Sequence, residues 1–288
     1  RYSRHRIRYH ASGLKKASNR RMTLKGSRGI LASAFCLLPI LVGFITPVSV
    51  LAYWAIFKAE RPGGNFIQLA WNSFYLAAIA SMIVVSLALV LSYAIRLNNS
   101  RSVRASVGIA GLGYALPGTI IAIGTIVPLA WFDHRVIDFI KHYTGENVGL
   151  IFSGSLFALL FAYTVRFMAV SLGAVQNGLG KIKPSMDMAG RSLGLSPARV
   201  LKNIHIPLLK GSVLTALLIV FVDVLKELPA TLVLRPFNFN TLAVRAFELA
   251  SDERLVDAAP ASLMIVLVGL VPVILLSRSI SSRTGYSQ

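Results

Sequence analysis

The sequence predicts an all-α membrane protein with six transmembrane helices. Of its 288 residues, 55% are hydrophobic and only 14% are charged, a balance typical of membrane proteins rather than soluble ones. Six apolar runs are each long enough to cross a ~30 Å hydrocarbon layer as a helix. These runs cover roughly residues 29–57, 71–95, 106–132, 148–171, 212–234 and 259–277.

The distribution of positive charge predicts how these helices are oriented. If the amino terminus is cytoplasmic, the inside segments carry 21 Lys and Arg, or 22 with Arg166 at the inner end of the fourth run. The outside segments carry seven. Every loop then follows the positive-inside rule. The net charge of +19 is thus explained by topology and requires no nucleic acid as a partner.

Three regions are expected along the chain. Residues 1–28 hold ten Lys and Arg and no acid, which predicts a cytoplasmic arm held near anionic membrane lipid. Residues 29–280 form the six-helix domain, and residues 281–288 form a cytoplasmic tail. Because the chain begins with Arg and no signal-peptide pattern precedes the first run, we expect it to be the second half of a longer polypeptide.

A polar, basic segment at 184–207 separates the fourth and fifth apolar runs. Pro184 suits a first helical turn, and Gly194 suits a left-handed helix stop. Ser196 followed by Pro197 is typical of the start of a second short helix. Within the first helix, Asp187 and Arg191 are spaced i, i+4 and are expected to pair. A defined helix–turn–helix between membrane helices indicates an element that another protein grips.

This segment resembles the cytoplasmic EAA loop of permease subunits in binding-protein-dependent ABC importers. The family motif reads Glu-Ala-Ala, three residues, Gly, nine residues, Ile-x-Leu-Pro. The chain matches it at Ala189, Gly194, Ile204 and Pro207, and departs from it at Met188 (for Glu), Gly190 (for Ala) and Ile206 (for Leu). The resemblance implies that the loop docks on a separate ATPase subunit and transmits its motion, with Asp187 adjacent to the missing Glu.

Three charged residues interrupt the fifth apolar run: Asp223, Lys226 and Glu227. Their i, i+3, i+4 spacing places them on one helical face, where Asp223 and Lys226 can pair. At least one carboxylate then needs a donor from elsewhere, because a charge at bilayer depth is costly unless it is paired. Two interpretations stay open: a translocation path or gate, and an ion-pair lock between helices near the outer interface.

The segments 226–231, 234–237 and 248–255 (KELPAT, LRPF and ELASDERL) resemble the second half of ferric-iron-type permeases, which are typically fused proteins with two similar halves. The resemblance implies the MetI-like fold of type I importers in a bacterial inner membrane. It implies three partners: an extracytoplasmic ferric-binding protein, an ATPase that holds the ATP and magnesium, and a second permease half. Other substrates of this class, namely a polyamine, thiamine or an oxyanion, remain alternatives.

Enzyme motifs are weak or incomplete. A P-loop beginning at 175 would need Gly and Ser or Thr where Val175 and Ile182 stand, so we expect no ATP site and no cofactor in this chain. His134, His142 and the acids near them are expected in a solvated outer loop rather than a metal site.

A short amphipathic helix is predicted from Asn240-Thr241 through Ser251. A six-helix channel or intramembrane enzyme is the alternative from another class.

Overall fold

The structure is a computed structural model that describes residues 24, 26–60, 63, 65–146 and 148–284, the last ten by backbone alone. Most of the arm expected at 1–28 and half of the tail expected at 281–288 lie outside the described residues. No strand occurs in the described part of the chain. The prediction of an all-helical membrane fold is confirmed.

Six helices in the described residues are long and apolar enough to cross a membrane. We call them spans 1 to 6, in chain order: Ser27–Phe57, Phe66–Leu97, Gly118–Thr144, Leu156–Leu179, Pro197–Leu225 and Leu255–Thr284. Shorter helices cover Arg101–Ala110, Leu112–Ala115, Pro184–Ser192, Pro229–Leu234 and Leu242–Ser251. The last of these begins where it was predicted, since the Thr241 hydroxyl accepts the Val244 N–H at its N-terminus.

The third span begins later than predicted. The apolar run 106–132 is divided between the Arg101–Ala110 helix, a 3₁₀ turn and span 3. Leu116 is extended (φ −92°, ψ 142°) and Pro117 occupies the N-cap of span 3. Proline disfavours a helical conformation in the residue before it, so hydropathy alone could not place this break.

Span 3 also continues further than predicted, to Thr144. His134 and His142 are therefore helical rather than in a loop. Asp133 is completely buried, and its carboxylate accepts the N–H groups of Ile151, Phe152 and Ser153 at 2.7–3.1 Å. The prediction of a solvated loop was wrong here, because Asp133 fixes the connection that leads into span 4.

The second short helix predicted in 184–207 is not a separate element. It is the first part of span 5, which runs without interruption from Pro197 through Pro207. A π-helical turn at Leu201–His205 precedes this proline, and another at Leu41–Ile45 precedes Pro47 in span 1. In both, a wider turn allows the helix to continue past a residue that has no N–H to donate.

Spans 2, 4 and 5 form the centre of the bundle. Small residues at their contacts have no exposed surface, among them Ala77 and Ala80, Ala158 and Ala162, and Ala216. Such residues allow helix backbones to approach closely. Span 1 buries no residue in the described chain and packs on span 6.

Arg166 lies near the middle of span 4, not at its inner end, because the helix continues to Leu179.

We expect Gly113→Ala to destabilise the protein by about 1–3 kcal/mol, because a Cβ here would collide with the backbone carbonyl of Val165 in span 4. The measurement is thermal unfolding of the purified protein in detergent. Gly124→Ala is the matched control, since nothing lies within 4 Å of its added Cβ. Equal melting temperatures for the two variants would contradict this close approach.

Candidate functional site

The helix Pro184–Ser192, which we call the loop helix, has the ends that the sequence predicts. Pro184 occupies its first turn. Gly194 has φ +79°, and the N–H of Leu195 donates to the Gly190 carbonyl at 3.0 Å. A left-handed residue directly after a helix satisfies carbonyls that would otherwise lack a donor. The loop helix is thereby turned back toward the start of span 5.

We expect Gly194→Ala to cost about 1–2 kcal/mol of stability, because a Cβ disfavours positive φ. Gly173→Ala in the helical part of span 4 is the control, since its Cβ would meet nothing within 4 Å. Thermal unfolding of both variants in detergent tests the difference. A Gly194→Ala protein as stable as the control would show that the turn has another conformation.

One face of the loop helix packs against span 5. Gly190 is buried there, and a Cβ on it would lie 3.1 Å from both Ile204 Cδ1 and Val200 Cγ2. This tight contact gives a physical reason for glycine where the family motif has its second alanine. Pro207 is exposed on span 5, beyond this contact.

The rest of the loop helix is exposed and carries both polar side chains, namely Ser185, Arg191 and Ser192, and apolar ones. The side chain of Met188 is 68% exposed and that of Leu193 is 82% exposed, and Ala189 is exposed beside them. The position of the motif Glu, occupied here by Met188, therefore faces away from the rest of the chain. An exposed apolar surface on a short helix beyond the membrane spans is suited to contact another protein.

Asp187 points inward, and its expected pairing with Arg191 is wrong. One carboxylate oxygen lies 2.7 Å from Arg96 at the end of span 2, and the other lies 2.5 Å from His205 in span 5. Arg191 is exposed and forms no ion pair with Asp187. A guanidinium and an imidazole that are both held by the fold outcompete a flexible side chain on the same helix. Asp187 is thus unavailable as a substitute for the motif Glu.

The three charges at the end of span 5 have different surroundings. The α-helix of span 5 ends at Leu225, just before Lys226 and Glu227. Lys226 pairs with Asp223 at 2.9 Å and is 64% exposed, whereas Glu227 is 6% exposed. The opposite charge that Glu227 requires is that of Arg166 in span 4, whose Nε lies 3.0 Å from Glu227 Oε2. The sequence offered one signal for Arg166, a lone cation inside an apolar run, which normally seeks an opposite charge.

The Arg166–Glu227 pair lies at the break before span 3. Arg166 Nη1 donates to the Leu116 carbonyl at 3.3 Å, and Glu227 Oε1 accepts the Ala230 N–H at 3.2 Å. A Cβ on Gly118 would lie 2.7 Å from both Arg166 Nη1 and Glu227 Oε1. Two breaks in the chain, the one before span 3 and the one after span 5, therefore meet at one ion pair whose carboxylate is buried. Non-helical backbone within a membrane bundle is tolerated where protein or an aqueous cavity surrounds it.

Among the residues that the structure describes, no group of three or more His, Cys, Asp or Glu could hold a metal ion.

The two charge clusters differ in what they connect. The Asp187 cluster fixes the loop helix to the bundle, and the Glu227 cluster connects the interrupted ends of spans 3 and 5.

Curated relatives are transport permeases. The Fe(3+)-transport system permease protein FbpB 2 of Haemophilus influenzae is 27% identical over 237 residues, which is 81% of this chain and 44% of that protein. A Salmonella typhimurium protein named as a 2-aminoethylphosphonate transport permease, PhnV, is 30% identical over 133 residues, 46% of this chain and 50% of its own length. The chain spans about half the length of these relatives. No family model matches it.

Solved structures share the fold. A chain of a bacterial ABC transporter that imports the acidic polysaccharide alginate superposes with a TM-score of 0.66 at 16% identity, covering 89% of this chain and 96% of that chain. A chain of the inward-facing methionine ABC transporter MetNI gives 0.52 at 15% identity, covering 75% and 94%. At these identities the likeness shows the fold alone.

The fold is that of transmembrane subunits of ABC importers, and the chain is a multi-pass membrane protein. By sequence, it is homologous to the Fe(3+)-transport permease protein FbpB 2.

Proposed function

We propose that the chain is the translocation subunit of an ATP-driven importer and that its substrate is ferric iron. The observation that carries this proposal is the alignment to a ferric-iron permease over 81% of the chain. The alignment to the aminoethylphosphonate-type permease covers 46%, so an oxyanion is the second candidate substrate. An extracytoplasmic binding protein delivers the substrate and determines most of the substrate specificity.

The loop helix is the docking site for a separate ATPase subunit in this proposal. Met188 and Leu193 supply the exposed apolar surface, while Gly190 and Ile204 fix the loop helix against span 5. The positive-inside rule places the loop helix in the cytoplasm, where ATP and magnesium are held by the ATPase. The chain itself hydrolyses no ATP.

Transport proceeds by alternating access between two permease halves. Closure of the ATPase pair moves the loop helices, the spans rock, and the path opens toward the docked binding protein. One half cannot enclose a path, so a second half is required, either fused to this chain or as a separate polypeptide. The membrane is the bacterial inner membrane.

The test is uptake by proteoliposomes that contain the full permease with its ATPase, with radiolabelled ferric iron loaded on its binding protein. We expect uptake that needs both ATP inside and the binding protein outside. Uptake of aminoethylphosphonate but not iron would reassign the substrate and keep the class. Uptake without ATP would overturn the class in favour of a channel.

A further inference from the structure

One arginine connects the loop helix to two membrane spans. Arg96, in the last turn of span 2, directs three nitrogen atoms at different partners. Its Nη1 donates to the Leu179 carbonyl at 2.7 Å, and its Nη2 donates to the Ile182 carbonyl at 3.0 Å. Its Nε donates to Asp187 Oδ2 at 2.7 Å. The guanidinium thus binds the end of span 4 and the loop helix together.

The second oxygen of Asp187 connects the same site to span 5. Asp187 Oδ1 bonds Nε2 of His205, whose side chain is completely buried. Tyr93, one turn before Arg96, packs edge-on against the His205 ring at 5.3 Å. The Tyr93 hydroxyl donates to the Pro197 carbonyl at 2.8 Å, which holds the first turn of span 5.

Covalent connections alone would hold the loop helix loosely. It is joined to span 4 by a short segment in which Lys181 and Lys183 are exposed and Ile182 is buried, and to span 5 by the exposed turn at Gly194. A force on the loop helix acts on these connections, on its packing at Gly190 and on the bonds of Asp187. Charge-assisted hydrogen bonds resist such bending, because each is about twice as strong as a neutral one.

We propose that Arg96, Asp187 and His205 form a joint that transfers displacement of the loop helix to spans 2, 4 and 5 at once. These three are positioning residues, and Asp187 acts inside the permease rather than as a contact to the ATPase. The inference rests on the proposed function, since it assumes that a partner moves the loop helix. Beyond the proposed function, the joint specifies that spans 2, 4 and 5 move together and that these three side chains connect them.

The predicted consequence of breaking the joint is uncoupling. In proteoliposomes with the full permease, its ATPase and its binding protein, we expect Arg96→Gln to retain ATPase capture and ATP hydrolysis. The ATP hydrolysed per substrate imported should rise about tenfold or more, since hydrogen bonds to a charged group typically carry enough energy for that factor. Capture should persist because the exposed face of Met188 and Leu193 is unchanged.

Two variants at His205 test whether coupling depends on the hydrogen bond to Asp187 or only on the bulk of the side chain. His205→Gln keeps an N–H donor for Asp187 and is expected to retain coupling close to that of the wild type. His205→Leu has similar bulk without a donor and is expected to uncouple as Arg96→Gln does. Thermal unfolding of each variant in detergent identifies any variant that fails to fold. If His205→Leu fails to fold, the coupling of Arg96→Gln is compared with that of His205→Gln.

Three results would overturn the joint: an unchanged ratio of ATP to substrate in Arg96→Gln, equal ratios in the two His205 variants, or loss of ATPase capture in Arg96→Gln. The last would show that the cluster only shapes the docking surface. A wild-type permease that neither captures an ATPase nor transports would instead contradict the proposed function, so the two failures are distinguishable.

Discussion

Replacing Glu227 with alanine is expected to destabilise the protein by about 1–3 kcal/mol, the cost of leaving a polar partner unpaired, because Glu227 is buried while Arg166 is 22% exposed. Glu227 is 6% exposed and lies 3.0 Å from Arg166, so its loss leaves a guanidinium in the bundle without a counter-charge. The Ala230 N–H also loses its acceptor. Thermal unfolding in detergent should show a large fall in melting temperature.

A double replacement distinguishes the two interpretations of this pair. Substituting apolar residues for both members of a buried pair is often neutral for stability, so Arg166→Leu with Glu227→Leu is expected to fold better than Glu227→Ala. Normal folding with abolished iron uptake would assign the pair to the translocation path or gate. Normal folding with normal uptake would assign it to an ion-pair lock between helices.

The pair Asp223–Lys226 is the comparison for this experiment, since its lysine is 64% exposed and its aspartate is 15% exposed. Water around the lysine screens part of this ion pair. Lys226→Ala should therefore lower the melting temperature less than Glu227→Ala does. A loss of stability as large as that of Glu227→Ala would show that burial does not govern the energetics of this region.

Leu193→Asp is expected to reduce capture of the ATPase by about tenfold or more, because an unpaired polar group buried in a protein–protein contact costs about 1–3 kcal/mol and a charge costs more. Leu193 is 82% exposed, so the fold of the isolated permease should not change. The measurement is the amount of ATPase that co-purifies with the tagged permease, together with the melting temperature.

Phe139→Asp provides the matched control, since it adds the same charge at a position that is 63% exposed but lies on span 3. It is expected to leave ATPase capture unchanged. Met188→Glu restores the family residue at an exposed position of the loop helix, so it tests whether that glutamate strengthens ATPase capture. Equal capture by Leu193→Asp and the wild type would show that the ATPase contacts another surface.

Apolar run length and local helix chemistry were sufficient for much of the fold. Six runs predicted six spans because crossing a hydrocarbon layer demands about 20 apolar residues whatever packs beside them. Pro184 and Gly194 predicted the ends of the loop helix because their conformational limits act within a single turn. The boundaries were less accurate, since polar ends such as 134–144 of span 3 extend helices beyond the hydropathy signal.

The partners of the charged residues could not be predicted this way. Asp187 bonds Arg96, which is 91 residues away, rather than Arg191 on its own helix, and Glu227 pairs with Arg166 on another span. The sequence alone determined the membrane fold class, the number of spans and the ends of the loop helix, because those depend on apolar length and on local backbone preferences. Only the tertiary structure decided which charge meets which, because electrostatic pairing depends on distance in space, and helix packing sets that distance.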